Sequence, residues 1–452
     1  MIQYDLGGRS RVVLRIHVVR EGGHHYYVND LVPGRAEGTL VAGEDPGMWS
    51  GGGSVGLGLR GTVEPQAFAE VLAGRDPVSG RSLRVRRGAG SVAAYDLTFA
   101  APKSVSLLHL LAPKEIATEV GAGHREAVND ATDYLGRAAV GVRRARGGDV
   151  SLLPSTGAVS GHFVHRTSRT LDPHLHTHVV VANVAQGVDG SWSAVDSRRV
   201  YAHAHAARGV YHARLRLELG GRIGATWDLR ASGLGDVIGV AGSLRRLFSQ
   251  RSAAMEEYRY TRAGPSQRPS RHGAFHATRP DKNRTRTVES LMLEWKRRAA
   301  DFGFDLGDLT LVVGSKRNLE AGNEIDPQRV RDGLGEFAHG NRTVAPRDLV
   351  AVVAAASTLG ATARVVESVA SRMAEASGPP MGAGRRWPAR EVARALERES
   401  AAILAGPALR SDRAVGVGRS PATVGLQLDH GRSRTDPASR ADRREPSHHL
   451  TR

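Results

Sequence analysis

Residues 165–178 read HRTSRTLDPHLHTH and run directly into the apolar stretch VVVANVA at 179–185. The Asp-Pro pair and the polar residues before it predict a turn between two strands. Side chains on a strand alternate between its faces, so His176 and His178 project to the same side, about 7 Å apart by a rise of ~3.3 Å per residue. His165, on the strand before the turn, is placed to bring a third imidazole to that side.

Three neutral imidazoles leave coordination positions open, which is typical of a catalytic rather than a structural metal site. His174 shares the alternating register and is a rival ligand, although it directly follows Pro173 and can belong to the turn. The alternative interpretation is a strand that is merely polar on one face. Imidazole suits Zn, Mn, Ni or Cu better than the hard Mg ion. We therefore expect one divalent ion, with Mg, Mn, Zn and Ni as candidates.

Upstream, residues 92–99 predict a strand in which Asp96 interrupts an apolar run. A carboxylate in such a place needs a partner. It can orient a ligand histidine, accept a proton from a nucleophile, or be satisfied by local backbone or an arginine. Ala101-Pro102-Lys103 then begins the apolar helical run SVSLLHLL, with the proline near the first turn, where its missing N–H costs little.

The chain has 452 residues and no cysteine, which limits the candidate nucleophiles. This excludes a disulfide scaffold, a Cys-ligated metal and a thiol nucleophile. The sequence GGHHYY at 22–27 carries a tyrosine pair that alone would predict only core packing. Beside a histidine metal site, however, a phenol can attack a metal-polarised phosphodiester and form a covalent phosphotyrosine. Tyr26 and Tyr27 are therefore the candidate nucleophiles.

The charge balance of 63 Lys+Arg against 46 Asp+Glu, a net +17, fits a polyanionic partner. Codon bias is an alternative cause, because only five of the basic residues are lysine. The basic, aliphatic-poor segment 258–287 predicts a wrap around single-stranded DNA rather than an inert loop, with Lys103 and Arg169 as point contacts. No apolar run of membrane-spanning or signal-peptide length is present, so we expect a cytoplasmic protein without membrane insertion.

The remaining pattern predicts further elements and a tail. Residues 43–61 are so rich in glycine that they predict a loop. Residues beyond 378 predict a mainly disordered tail with a short helix at 388–404. The other predicted elements are strands at 12–19, 150–165 and 176–186, and helical regions at 115–138, 200–219, 288–302 and 347–375.

Together these features resemble the relaxase domain of the TrwC/TraI-type (MobF) conjugative relaxases. That family is marked by an early tyrosine pair, a strand reading close to Asp-Leu-Thr-Phe-Ser-Ala-Pro-Lys-Ser-Val-Ser, and a His-x10-His-x-His set ending in Asp-Pro-x-Leu-His-Thr-His. Here residues 96–106 read DLTFAAPKSVS, and residues 165–178 carry the histidine set. The resemblance extends from residue 12 to residue 310.

The resemblance implies an α+β fold of the HUH-endonuclease kind, with a central antiparallel five-stranded sheet flanked by helices and a helical C-terminal extension. The implied activity is site- and strand-specific nicking of a plasmid transfer origin, which leaves the 5′ end on tyrosine and a free 3′ hydroxyl. The implied partners are single-stranded DNA at that origin and, as separate proteins, a helicase, a coupling protein and accessory DNA-binding proteins.

The resemblance also assigns the functional residues. They are three metal ligands, an active-site acid and a nucleophile: His165, His176, His178, Asp96, and either Tyr26 or Tyr27. His174 falls on the variable position of the motif, which argues against it as a ligand.

Two departures from the family pattern limit what the resemblance implies. Many members carry a second tyrosine pair, but residues 29–35 here read NDLVPGR. The chain also has no Gly-Lys dipeptide and hence no P-loop for the helicase that follows in larger members. We therefore expect a relaxase domain at 12–310, a helical extension at 311–378 and a mainly disordered basic tail at 379–452, in a relaxase-only protein, half of a split pair or a truncated gene.

Three rival functions remain open at this stage. A rolling-circle replication or transposition nuclease of the HUH type usually has two metal histidines and a downstream tyrosine, unlike the order here. A small-molecule metal hydrolase would explain the histidines but not the basic segment. A catalytically degenerate accessory protein would bind an origin without cleaving it.

Overall fold

A five-stranded antiparallel sheet lies at the centre of the computed structural model, in the strand order β1-β3-β7-β6-β2. The residues that the structure describes are 14–21, 45–84, 90–146, 149–261, 277–278, 286–317, 324–338, 342–382 and 385–404. The strands are β1 (Arg15–Arg20), β2 (Met48–Ser50), β3 (Val92–Ala100), β4 (Gly141–Arg146), β5 (Asp149–Pro154), β6 (Ser160–Thr167), β7 (Pro173–Ala182), β8 (Ala185–Gln186), β9 (Trp192–Ser193), β10 (Trp227–Leu229), β11 (Gly235–Val237), β12 (Thr343–Val344) and β13 (Trp387–Pro388). Four further two-stranded sheets are formed by β4 with β5, β8 with β9, β10 with β11, and β12 with β13.

Helices pack around this sheet, and the predicted fold class is confirmed. They are α1 (Gly52–Gly56), α2 (Pro65–Leu72), α3 (Lys103–Leu111), α4 (Lys114–Ala138), α5 (Ser197–Ile223), α6 (Gly242–Leu247), α7 (Gln250–Thr261), α8 (Val288–Asp301), a 3₁₀ helix (Leu306–Val312), α9 (Pro327–Ala338), α10 (Pro346–Ala356), α11 (Ala363–Ala376) and α12 (Ala389–Leu404). Within the described ranges, no helix combines the length and the apolar character that a bilayer crossing requires.

The two faces of the sheet have different surroundings because side chains alternate along each strand. One face packs on α4 and α5, where Phe99 of β3 meets the ring of Tyr211 at 5.6 Å between centroids. On the opposite face, α2 covers one end of the sheet, and Phe68 packs edge-on against Phe163 of β6 at 5.3 Å. His165 of β6 and His176 and His178 of β7 lie beyond this small core, on the same face as Phe163.

The C-terminal helices attach to the helix layer through a buried cation. Arg216 of α5 is 2% exposed and donates to the backbone carbonyls of Gly233, Ala354 and Ser357 at 2.7, 2.7 and 3.0 Å. These carbonyls belong to the β10–β11 turn and to the end of α10. The guanidinium therefore fastens α10 and the hairpin to α5.

Glycine-rich residues 43–61 were expected to form a loop, and that prediction is wrong for residues 48–56. Met48–Ser50 forms the edge strand β2 beside β6, and α1 follows it. The glycines are needed for close backbone approach: a Cβ on Gly51 would lie 2.3 Å from the carbonyl oxygen of Ala158, and Gly51 has φ +89°. Glycine at this position therefore allows tight packing of backbone on backbone.

Other boundaries also differ from the prediction. Strand 150–165 is two strands, β5 and β6, and helical region 347–375 is two helices separated at 357–362. Strand β7 begins at Pro173, so His174 belongs to the strand and not to the turn. The helices α2, α6, α7 and α9 were not predicted.

The C-terminal part is folded further than expected. Within the predicted tail, β13 and α12 lie before residue 405, and α12 matches the short helix predicted at 388–404. The chain divides into a unit ending at Ala408 and a second unit, Leu409–Arg452, which lies wholly outside the described residues. The domain boundaries at 310 and 378 stay predictions.

Candidate metal centre

Three histidines converge on the face of the sheet that lies opposite α4 and α5. His165 of β6 lies directly opposite His176 of β7, and His178 follows two residues later on the same face. The ring centroids are 5.4 Å apart for His165 and His176, 5.1 Å for His165 and His178, and 5.2 Å for His176 and His178. One ligand nitrogen from each ring lies within 4.8 Å of the other two. The pairing of β6 with β7 therefore brings the three predicted ligands together.

Hydrogen bonds fix which nitrogen of two rings can bind a metal. His178 Nδ1 donates to both carboxylate oxygens of Asp96, at 2.8 and 2.9 Å, and His176 Nδ1 donates to the backbone oxygen of His174 at 2.9 Å. Carboxylate and carbonyl oxygens only accept, so Nδ1 carries the proton in both rings. The Nε2 lone pair of each neutral ring is then available to a metal.

Burial keeps the central ligand neutral. Desolvation lowers the pKa of His176 to about 3, with a smaller contribution from nearby His178. A neutral imidazole is the form that coordinates a metal ion. A donor set of three imidazole nitrogens fits a divalent transition-metal ion, and it would leave coordination positions for a substrate oxygen.

Asp96 holds its ligand histidine from the neighbouring strand. It lies on β3, whose register places Thr98 opposite His178, so Asp96 reaches His178 diagonally across the ladder. The carboxylate is 4% exposed, and both of its oxygens face the ring. A buried carboxylate that accepts from the far nitrogen of a ligand histidine sets the orientation of that ring.

His174 lies on the same face of β7 but is arranged differently. Its ring stacks on His176 with 4.7 Å between centroids and an interplanar angle of 27°. A stacked ring presents its face rather than a nitrogen lone pair to its neighbour. Among the described residues, the group whose ligand atoms converge consists of His165, His176 and His178.

Lys103 and Arg169, the predicted DNA contacts, lie near the two ends of the β6–β7 turn. The Lys103 ammonium, at the start of α3, donates to the Pro173 carbonyl at 2.6 Å, and burial lowers its pKa to about 8. Lys103 therefore ties α3 to the beginning of β7. Arg169 is part of the turn itself. Their contacts with DNA stay predictions.

The same turn is held by residues that sequence reasoning missed. Asp172 is 1% exposed and accepts from the backbone N–H and the side-chain amide of Gln250, each at 2.8 Å. Trp295 Nε1 donates to the Leu171 carbonyl at 2.8 Å, and Leu171 has φ +58°. Helices α7 and α8 thus fix the turn that joins the ligand strands. The one available signal was the Asp of the Asp-Pro pair.

Tyr26 and Tyr27 lie outside the described residues, as does most of the basic segment 258–287. The last described residue before the tyrosine pair is Glu21, and it forms a buried ion pair with Arg84 at 2.7 Å. This pair fastens the end of β1 to the segment that precedes β3.

Comparison with known proteins adds the family to this geometry. The TrwC relaxase family matches residues 19–302, well over half of the chain. This chain belongs to the TrwC relaxase family. The resemblance read from the sequence is confirmed, and the predicted fold agrees with the family's solved structures.

Two kinds of relative stand out. The multifunctional conjugation protein TraI of Escherichia coli is 30% identical over 306 residues, which are 65% of this chain but only 16% of TraI. The chain thus spans a small part of the length of its curated relatives. Structures of the conjugative relaxase TrwC in complex with oriT DNA, metal-free and metal-bound, are each 28% identical with a TM-score of 0.57. Each match covers 65% of this chain and 99% of the TrwC chain in that structure. A copper-bound TrwC complex matches with a TM-score of 0.56.

Proposed function

We propose that this chain nicks one strand of a plasmid transfer origin and transfers that strand through a phosphotyrosine intermediate, which initiates conjugative transfer. The observation that supports the proposal is the convergence of His165, His176 and His178 beside Asp96 in a chain of the TrwC relaxase family. A divalent ion bound there would polarise the scissile phosphate. His-only donors favour a transition metal over Mg²⁺, with Mn, Zn and Ni as candidates and Mg least favoured.

The protein's residues would divide the work as follows. His165, His176 and His178 would hold the ion through nitrogen atoms that strand pairing brings together, and Asp96 would fix the ring of His178. Tyr26 or Tyr27 would attack phosphorus, so that a tyrosyl P–O bond forms and the bond to the 3′ oxygen breaks. A free phenol has a pKa of about 10, so the attacking oxygen must lose its proton or be stabilised as phenolate. We favour Tyr26, the first of the pair.

The DNA partner is proposed by analogy with solved relatives. TrwC binds oriT DNA, including a 27-mer that comprises the recognition hairpin and the cleavage site. We propose single-stranded DNA of a transfer origin as the substrate here, bound in part by Lys103, Arg169 and the basic segment 258–287. The chain would act in the cytoplasm with a separate helicase, a coupling protein and accessory DNA-binding proteins.

A covalent adduct is the test of the proposed reaction. The full chain is incubated with a single-stranded origin oligonucleotide and Mn²⁺, digested with nuclease and mapped by mass spectrometry. We expect the adduct on Tyr26 or Tyr27 and its loss in the doubly substituted Tyr26→Phe, Tyr27→Phe protein. Tyr201→Phe, a partly buried tyrosine of α5 outside the proposed metal site and the basic segment, serves as the control and should retain it.

Two outcomes would contradict the mechanism. An adduct that survives in the double variant would assign the nucleophile to another residue. Cleavage that leaves a free 5′ phosphate would make water the nucleophile. Tight origin binding without cleavage under any divalent metal would identify the rival function, a degenerate accessory protein.

The basic segment has its own test. Deleting residues 262–284 removes Arg-rich, aliphatic-poor sequence, and we expect the affinity for single-stranded DNA to depend less steeply on salt because fewer counterions are released. An unchanged slope of log affinity against log salt would show that the segment is an inert loop.

A further inference from the structure

A chain of three buried polar side chains crosses the helix–sheet interface directly behind the histidine cluster. His124 of α4 is fully buried, and its Nε2 is hydrogen-bonded to Thr177 Oγ1 at 2.8 Å. Its Nδ1 is hydrogen-bonded to the Tyr211 hydroxyl of α5 at 2.9 Å. Tyr211 is 1% exposed and Thr177 is 2% exposed. These hydrogen bonds therefore link both long helices, α4 and α5, to Thr177 of β7.

The place where this chain ends on β7 is informative. Thr177 lies between His176 and His178, and because strand side chains alternate, its hydroxyl points into the helix layer while both histidines point to the opposite face. Consecutive Cα atoms are about 3.8 Å apart, so a shift of Thr177 is passed to both neighbouring ligands. A second bond supports the same stretch, since the Leu175 N–H donates to Ser106 Oγ of α3 at 3.1 Å.

Apolar packing alone would not fix this stretch as closely. Contacts between apolar side chains are non-directional, whereas hydrogen bonds constrain both distance and angle. A metal site requires its ligands to be held to within about 0.5 Å. Three polar groups in a dry interface are also costly unless they are paired. In this structure the three polar groups are paired, and they meet the strand at Thr177, the helix-facing residue between His176 and His178.

We propose that His124 and Tyr211 are positioning residues that act through Thr177 to hold His176 and His178 in the geometry that binds the metal. The inference rests on the proposed metal site and extends it to residues that touch neither the ion nor DNA. The site's affinity for a divalent ion then depends on a hydrogen bond made on the opposite side of the sheet.

The test measures Co²⁺ binding to the full-length protein by visible absorption, together with thermal unfolding of the metal-free protein. Thr177→Val keeps the β-branched shape and removes the hydroxyl, and Tyr211→Phe removes only the remote hydroxyl. Loss of a group hydrogen-bonded directly to a metal ligand typically weakens metal binding about 10- to 100-fold, and the Thr177 bond lies one step further from the ligands. We expect about tenfold weaker binding for Thr177→Val. Tyr211→Phe should have a smaller effect in the same direction, and Thr177→Ser, which keeps a hydroxyl, should bind as the wild type does.

A matched control lies in the same interface. Tyr134 of α4 is also 1% exposed, and its hydroxyl is hydrogen-bonded to His203 of α5 at 2.8 Å, without any link to β7. Tyr134→Phe therefore removes a tyrosine–histidine bond between the same two helices, although His203 is only partly buried. It should lower the unfolding temperature about as much as Tyr211→Phe does, and it should leave the Co²⁺ affinity unchanged.

The results separate positioning from ordinary core packing. If Thr177→Val and Tyr211→Phe bind Co²⁺ as tightly as Tyr134→Phe and the wild type, the inference is wrong, whatever happens to the unfolding temperature. If Thr177→Val does not fold, the comparison of Tyr211→Phe with Tyr134→Phe decides alone.

Failure of the proposed function would look different. A wild-type protein that binds Co²⁺ but forms no tyrosyl adduct would contradict the nicking mechanism and leave the positioning role to be judged by affinity. A wild-type protein that binds no Co²⁺ would overturn the metal site and the positioning role together.

Discussion

Asp96 can serve the reaction in two ways, and the substitution Asp96→Asn separates them. In the structure both carboxylate oxygens accept from His178 Nδ1, at 2.8 and 2.9 Å, in a position that is 4% exposed. This geometry favours an orienting role over removal of the tyrosine proton. Asparagine has nearly the same shape and one remaining acceptor oxygen, so it removes mainly the negative charge.

The expected size of the effect follows from that contact. A hydrogen bond to a charged group contributes about 1.5–3 kcal/mol, against about 1 kcal/mol for a neutral one. Replacing the carboxylate should therefore cost about 1–2 kcal/mol of metal binding, or about a tenfold increase in Kd, since 1.36 kcal/mol corresponds to tenfold. Mn²⁺ affinity is measured by titration, and nicking of a fluorescent origin oligonucleotide is measured across a range of Mn²⁺ concentrations.

The two roles predict different kinetics. If Asp96 orients His178, nicking by Asp96→Asn should recover most of its rate once Mn²⁺ is saturating. If Asp96 accepts the tyrosine proton, the rate at saturating Mn²⁺ should fall by about 10²–10⁴ while the Mn²⁺ affinity stays unchanged. That second result would refute the orienting role. Asp236→Asn is a suitable control, because this carboxylate accepts from Ser104 and pairs with Arg245, and so tests loss of a structural carboxylate.

Three further predictions concern the ligands, the buried histidines and the helix layer. His176→Ala should abolish stoichiometric Mn²⁺ binding and nicking, and His174→Ala should do neither; binding that depends on His174 instead would overturn the ligand assignment. Burial lowers the pKa of His124 to about 3 and of His162 to about 4, so the unfolded chain takes up more protons below pH 6.5. The free energy of unfolding should then fall as the pH drops from 6.5 to about 4, by at most about 1.4 kcal/mol per pH unit for each ring, and a flat profile in urea titrations would contradict it. Arg216→Met strips the donor from three buried carbonyls and should cost about 3 kcal/mol, seen as a lower unfolding temperature with unchanged Mn²⁺ affinity.

The centre of the site could be predicted because its rules are local. Alternation along β7 places His176 and His178 on one side, and the short turn before Pro173 lets His165 lie opposite His176. Asp96 was identified as a residue that needs a partner, but its partner could not be chosen. That choice depends on the register between β3 and β7, strands that are separated in the chain by two helices and three other strands.

The residues that were missed have distant partners and little local signal. His124 looked like one more position on an amphipathic helix, and its bond to Thr177 spans 53 residues. Strand β2 is only three residues long and lies in glycine-rich sequence, so neither its composition nor its periodicity indicates a strand. The Trp295 bond to Leu171 spans 124 residues. Such contacts follow from the packed fold and not from any pattern within a window of sequence.

The triplet His176-Thr177-His178 shows why a site of this kind constrains both faces of its strand. For packing alone, an apolar residue at position 177 would suit a layer otherwise filled by residues such as Phe99, because a buried hydroxyl gains little unless it is bonded. Threonine there requires a partner, and His124 supplies it only because Tyr211 satisfies the other nitrogen of the ring. The two ligands of β7 thus share one counterpart in the helix layer. A substitution that improves the core behind β7 could therefore raise stability and weaken metal binding at the same time.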